Sequence, residues 1–494
     1  MIVLIPLVIY MAEFSYFDFS GGLSTAKSKV AIGQSEKKVY WSNAKNVEID
    51  RTTGIRVAEG NAVYLDAGHE ILGIFEYRYE DESRLVYNTA EGKFFSVNNH
   101  YSYLRKSGLS TTAKCSYANF KGGVIVANSS DDPFLYTEGA EISQCNAPVQ
   151  SNIVCSWGGR LWLAKGGTLY YSSLGRHDSW VTDEINDGGS ISNFHNDYSD
   201  IKCIIPYKSY LAIHRQNNVY LLAGDSSPDN FTIIPFTTKG SDSPLGAVNF
   251  ESEQFFYDNG IFSLTQAGSN NEIRLSSEIS EDVQDVFKTI DTSQLNEAFS
   301  VSDNVKKRVM FYLPFNGNFK TCLIYDAINK AWITRTVPQD ITCACLFENS
   351  VYTGTSEGEI IKECYGNTFA GAAIDWYFET PFFHFGEPVR KKGVEDCYLH
   401  IDNLAKNNFN IDFYVDFNNS NIYDSQTVNS YVSNDLIFDD SNWNEANFAA
   451  DTEERYRTYF LGSCKSWKLK FSGSDLDSGI GLLGMKLENV YVNE

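Results

Sequence analysis

Basic residues are the first shortage. Lysine and arginine total 40 against 63 aspartates and glutamates, giving a net charge of −23 over 494 residues. Tight binding to nucleic acid relies on cations that displace counterions from phosphate, so this chain is not read as a nucleic-acid binder. No basic block or basic amphipathic helix occurs, which removes a common route to a membrane surface. No apolar run reaches the roughly 20 residues that a bilayer span needs. Residues Met1 to Met11 are apolar but short, contain Pro6, and lack the positive segment and cleavage site of a signal peptide. Met11-Ala12-Glu13 reads as an ordinary start. Residues 1–11 are read as an apolar leader, with translation expected to begin at Met11 and the first ten residues to come from an upstream start choice, the alternative being an apolar edge strand. Mass spectrometry of the native protein is expected to find no Met1 end.

Catalytic and metal motifs are also scarce. There is no CxxC pair, Walker loop or GxGxxG before a helix. The ten cysteines, from Cys115 to Cys464, form no dense framework and are expected to be free thiols in a reducing compartment. Cys343 and Cys345 are spaced like neighbours on one strand face, but no histidine cluster lies near them to complete a zinc site. Gly354-Thr355-Ser356-Glu357-Gly358 has the letters of a nucleophile elbow, yet Glu359-Ile360-Ile361-Lys362 reads as a strand where a helix is needed. The segment is expected to be a hairpin turn.

Propeller glycosidases pair carboxylates, and sialidases repeat an S-x-D-x-G-x-T-W turn. The nearest segment here, Ser172 to Trp180, departs from that pattern and does not repeat. Asp402, Asp412, Asp416, Asp439 and Asp440 lack EF-hand spacing and read as solvated loops rather than calcium ligands. Asn128, Asn230 and Asn418 begin glycosylation sequons, which without a secretory signal read as chance matches. The seven histidines are scattered, and His195 and His214, like the others, are expected to be structural. No residue is assigned a catalytic, cofactor-binding or metal-binding role, no cofactor is expected, and the chain is not read as an enzyme.

Aromatic residues are plentiful, with 33 Phe and 30 Tyr, and they favour sheet. The length suggests roughly two to four domains. Helical spacing stands out only after Ser280, where Val283, Val286, Phe287 and Ile290 recur. One short helix is expected over 281–289, capped by Ser280. Elsewhere the period is two, as in Ile411/Phe413/Val415/Phe417 and Trp467/Leu469/Phe471. Between residues 70 and 365, strands recur around Gly or Asn turns at Gly122-Gly123, Gly158-Gly159, Asn217-Asn218, Asn259-Gly260, Gly317-Asn318 and Asn349-Ser350. Their uneven spacing, roughly 30 to 60 residues, overlaps that of propeller blades.

The expected fold is all-β: a propeller of about six irregular blades over 69–367, with a β-sandwich or barrel platform at 368–494 completed by N-terminal strands from 12–68. A sandwich with long insertions is the alternative for the middle of the chain.

The order of these signals resembles the tail-nozzle and head-to-tail (packaged-DNA) stabilisation proteins of short-tailed bacteriophages. The resemblance runs through Phe19-Ser20-Gly21-Gly22-Leu23, Asn46-Val47 and Gly54-Ile55-Arg56 as opening strands, and Tyr171-Ser172-Ser173 with Asp178-Ser179-Trp180 as a propeller turn. It continues through Ser243-Pro244, Asn259-Gly260-Ile261 and the helix after Ser280, then Tyr325-Asp326, Ala331-Trp332 and Tyr352-Thr353-Gly354, to Gly479-Ile480-Gly481 and Val490-Tyr491 at the close.

The resemblance implies a virion tail protein assembled in the host cytoplasm as a homo-hexameric ring. The ring would extend the DNA channel, retain the packaged genome and pass it at ejection. Its partners would be a portal-proximal tail adaptor, tail fibres or spikes, and genomic DNA that passes without sequence-specific binding, with no membrane insertion by this chain. The charge reading agrees independently, because an acidic lumen repels phosphate. Two rival readings are a receptor-binding tail module and a propeller glycosidase.

Overall fold

The computed structural model describes residues 9–10, 13–28, 38–50, 54–79, 82–267, 272–394, 396–402, 407–430, 453–459, 463–476, 478–488 and 490–492. Short runs of β-branched and aromatic residues alternate with tight turns that need positive φ, and the chain folds them into antiparallel hairpins. Trp157 and Arg160 face each other across Gly158–Gly159 (φ 59° and 73°), and Phe347 and Ser350 across Glu348–Asn349 (φ 47° and 60°).

Seven four-stranded antiparallel sheets result among the described residues. Blade 1 is Ile71–Tyr79, Glu82–Thr89, Lys93–Asn98 and Tyr101–Ser107. Blades 2 to 6 begin at the strands Ser116–Phe120, Val154–Trp157, Ile201–Tyr207, Ala247–Phe250 and Phe299–Asp303. Blade 7 joins Ile341–Phe347, Ser350–Thr355 and Glu359–Glu363 to Asn61–Asp66. The first strand of each sheet packs against the first strand of the next, and blade 7 returns to blade 1, closing a propeller.

Two expectations need correction. There are seven blades where about six were expected, because insertions hide the period. A long loop separates Thr168–Tyr171 from Gly189–Ile191 in blade 3, and helical turns lie between blades 5 and 6. Residues 61–66, expected in the platform, instead form the outer strand of blade 7.

The other strands make two facing sheets. One has the order Glu453–Tyr459, Asp396–Asp402, Gly481–Glu488, Ile55–Val57, Val47–Ile49, with Phe14–Tyr16 also paired to Gly481–Glu488. The other runs Asp424–Ser430, Asn407–Val415, Trp467–Gly473, Trp376–Glu379, Asn43–Lys45. Ile411, Phe413, Leu469 and Phe471 are buried as alternation predicts, and Phe378 stacks on Phe471 at 4.6 Å. Lys468, on the opposite phase, is also buried, paired to Glu379 at 2.6 Å and lying over the Tyr414 ring. The residue 1–11 segment is described only at Ile9–Tyr10, which pairs with Tyr491–Val492, and the polar loop Asp435 to Thr452 lies outside the described residues.

The expected helix is a 3-10 turn, Glu281–Val283, running into one α-turn, Gln284–Phe287. Ser280 does not cap it. Its buried hydroxyl accepts from the Ile261 amide (2.9 Å) and donates to Glu278 (2.8 Å), serving blade 5 instead.

The two halves share one apolar core, which joins Trp41, Val47 and Ile55 to Phe311, Trp332 and Ile333 of blade 6 and to Phe378 and Leu482 of the sandwich. Asn46, in the left-handed region (φ 54°), donates to the carbonyls of Thr336 and Asp375 and accepts from the Thr336 amide at 2.7 Å. Beside it, the buried carboxylate of Glu48 meets Arg308 at 3.1 Å, and Arg335 meets Glu363 at 2.8 Å. Burial alone would raise the Glu48 carboxyl. The charge and hydrogen bond of Arg308, with Lys306 and Arg56, outweigh it and hold the group at about 2.

None of the ten cysteines forms a disulfide. Nine are buried and Cys364 is half-buried, and burial pushes up the thiols of Cys115, to about 12, and Cys343, to about 11.

Two acid-sensitive windows follow. Wholly buried His214 donates from Nε2 to Gln254 Oε1 at 2.9 Å and leaves Nδ1 without a partner, so burial lowers its pKa from 6.5 to about 4. The neutral ring therefore supports the fold above pH 6.5. This support, about 3 kcal/mol, is lost as pH falls from 6.5 toward 4. Glu48 supports the fold above its ordinary 4.5 and loses that support as pH falls toward 2. Urea titrations across pH are expected to show both losses, with His214→Gln removing only the first. Arg308→Met is expected to cost about 3–5 kcal/mol at neutral pH, because it strands a buried carboxylate.

Candidate interaction surface

The motif residues singled out from sequence do not converge. Gly354 to Gly358 turns from Ser350–Thr355 into Glu359–Glu363, with a strand and no helix after it. Ser172 to Trp180 sits in the blade 3 loop, where Ser173 and Ser179 hydroxyls meet at 3.1 Å and the Trp180 indole donates to Cys145 O at 2.8 Å. Cys343 and Cys345 do lie on one strand face, and both pack into the apolar core between blades 7 and 1. His214 faces Phe256, whereas His195 is exposed beside Ile233 O.

Asp412 accepts from Ser425 Oγ and Asp416 from the Lys465 amide, while Asp439 and Asp440 lie outside the described residues. Among the described residues, no group of three or more His, Cys, Asp or Glu is placed to hold a metal ion. Asn128 is buried, with its side chain bonded to Asp131 and Ser130.

The wall of the propeller channel is close to neutral. On the seven innermost strands only Glu76 and Lys202 are charged and half-buried, and Glu76 is paired with the exposed Arg78 at 2.9 Å. The clustered carboxylates that a propeller glycosidase needs are not on these strands.

The outer edges differ sharply. Blade 6 presents Ala331–Thr336 to the N-terminal strands, which cover it. Blade 4 carries Pro235 on Thr232–Thr237, and blades 2 and 3 end in strands of two and three residues. Short strands and proline are the usual protections of an edge. Blade 1 ends differently, in Tyr101–Ser107, where Tyr101 is 71% exposed, Leu104 53% and Tyr103 46%. A bulge, Arg105 and Lys106 blunt its second half, and Arg105 pairs with Glu138 at 2.8 Å. The first half offers unpaired backbone and large side chains together.

Next to this edge a cleft of about 930 Å³ opens between blades 7 and 1. Two hairpin tips border it, Asn99–His100 (φ 50° and 65°) and Glu348–Asn349, all non-glycine residues in the left-handed region. The closing strand supplies Tyr64, whose ring lies 4.6 Å from His100 and 5.0 Å from Tyr352. Burial raises the Tyr64 phenol, and Glu348 adds to the effect. Tyr352 is pushed up to about 12, mainly by burial. Arg84 is held by Glu82 and Glu138, both at 3.0 Å, and Lys362 lies 5.4 Å over the Tyr365 ring.

Sequence reasoning passed over both features. The one signal for the edge was Tyr-Ser-Tyr-Leu-Arg-Lys-Ser, a strand with no proline and no consistently polar face. The cleft has no local signal, since its residues come from three distant segments.

No protein-family model and no curated protein matches this chain. Among solved structures it resembles Raptor from Chaetomium thermophilum, with TM-score 0.42 and 8% identity over 62% of this chain and 29% of that one. It also resembles BamB from Moraxella catarrhalis, with TM-score 0.39 and 10% identity over 63% of this chain and 90% of that one. The chain thus spans less than a third of Raptor's length.

Replacing Tyr101, Tyr103 and Leu104 together by serine is expected to leave unfolding stability within about 1 kcal/mol of the parent, because exposed positions contribute little. Denaturant unfolding of the purified chain checks this. A loss of several kcal/mol would mean that these side chains support the fold itself.

Proposed function

We propose that this chain is a structural component of a phage tail, a nozzle or head-to-tail connector piece that assembles with copies of itself into a ring. The ring extends the DNA channel, retains the packaged genome and passes it at ejection. The observation that carries this reading is the open edge Tyr101–Leu104 of blade 1, where the outer edges of blades 2, 3, 4 and 6 are short, blocked or covered. An unprotected edge of this kind favours strand-to-surface contact with another chain. The joint between propeller and sandwich supports it too, since a ring that holds DNA under pressure needs subunits that do not flex. In the family it resembles the ring is sixfold.

The propeller channel is too neutral to repel DNA. The repulsive lining is therefore assigned to faces that the copies turn toward their common axis, where a charge of −23 per chain is repeated. The adaptor protein and the fibres or spikes dock on the remaining surface, DNA passes without base contacts, and no reaction is assigned.

Native mass spectrometry and negative-stain microscopy are expected to find a ring of six copies, on virions and after purification at high concentration. The Tyr101→Ser, Tyr103→Ser, Leu104→Ser chain is expected to remain monomeric while folding normally. A parent chain that stays monomeric and is missing from virus particles would overturn the reading.

A further inference from the structure

We propose that the cleft between blades 7 and 1 is a binding site for an uncharged oligosaccharide. A pyranose ring has a face of C–H groups and a rim of hydroxyls. It needs flat aromatic surface with hydrogen-bonding groups of both kinds around it. The cleft supplies three tyrosines at graded depth: Tyr352 buried, Tyr64 half-buried against it, and Tyr365 57% exposed. Tyrosine gives such a site a broad apolar ring and a polar tip together.

The polar groups narrow the ligand class. Two cations, Arg84 and Lys362, face two anions, Glu82 and Glu348. With charge balanced, the cleft has no preference for a phosphate or another polyanion. An apolar ligand would strip water from these groups and leave them unpaired. Neither Glu348 nor Lys362 has an ion-pair partner among the described residues, so the acceptor and the donor are both available to hydroxyls. Asn98 and Asn99 add amides on the same wall. The volume of about 930 Å³ lies within the range of small-molecule sites and accommodates a short oligosaccharide.

Tyr64, Val63 and Ala62 come from the closing strand, so the site exists only when the ring of blades is shut. Binding is thereby linked to closure: a ligand held here stabilises the pairing of Asn61–Asp66 with Glu359–Glu363.

The test uses the full chain on an immobilised array of neutral and sialylated oligosaccharides, followed by calorimetric titration with the neutral compounds that bind. The expected result is binding to neutral oligosaccharides, weakened roughly tenfold by Tyr365→Ala, which removes one stacking face. Tyr365 is more than half exposed, so this variant is expected to fold normally, and its melting curve checks that. The paired variant Glu348→Gln, Lys362→Ala is expected to weaken binding without any change of fold.

The Tyr101→Ser, Tyr103→Ser, Leu104→Ser chain is expected to keep glycan binding while losing the ring, which separates the two readings. Binding to none of the array, preference for sialylated over neutral compounds, or full affinity in both cleft variants would each overturn the proposal.

Discussion

The pairing of Asn61–Asp66 with Glu359–Glu363 is the constraint on which the rest of the molecule depends. It joins residues about 300 positions apart. Before it forms, blade 7 lacks its outer strand and the ring of blades is open. The entropy of closing so large a loop must be met by what closure buries. The same strand leads directly out of the sandwich, so shutting the propeller also seats its neighbour. Arg335 completes the link by donating from Nη2 to Gly60 O at 2.9 Å while holding Glu363.

The seat is unusual in using charge where apolar contact would serve. Glu48–Arg308 and Arg335–Glu363 are nearly dry, and burying such pairs gains little over well-packed hydrophobic residues. They do gain geometry. A guanidinium accepts only a few orientations of carboxylate and carbonyl, whereas a greasy joint slides. Asn46 adds a third directional contact on the same face. The apolar core beneath supplies cohesion, and the polar groups above it set the angle between the two halves.

Local chemistry made the strands and turns legible in the sequence. Two-residue alternation placed Ile411 and Phe413 inside, and Gly158-Gly159 and Asn259-Gly260 marked true turns. The short helical stretch after Ser280 was readable from spacing alone, although its cap was not, because the Ser280 hydroxyl is claimed by a strand distant in sequence. Blade number was lost for a related reason. Seven equal units are hidden when one carries a long loop and another borrows its last strand from the far end. Nothing in the neighbours of Glu48 distinguishes it from an exposed glutamate, and Tyr64, His100 and Tyr352 become one site only after closure. What remained illegible was everything that depends on segments meeting from far apart.

The buried thiols have a bearing on where such a chain can travel. A thiol oxidises or cross-links through its thiolate, and at nine of the ten cysteines burial disfavours that anion, Cys364 included at about 11. Passing from a reducing interior to an oxidising medium would therefore leave the fold chemically unchanged. It would form no stray bridges between copies and need no disulfide to survive. A protein folded in one redox environment and used in another gains durability from that indifference.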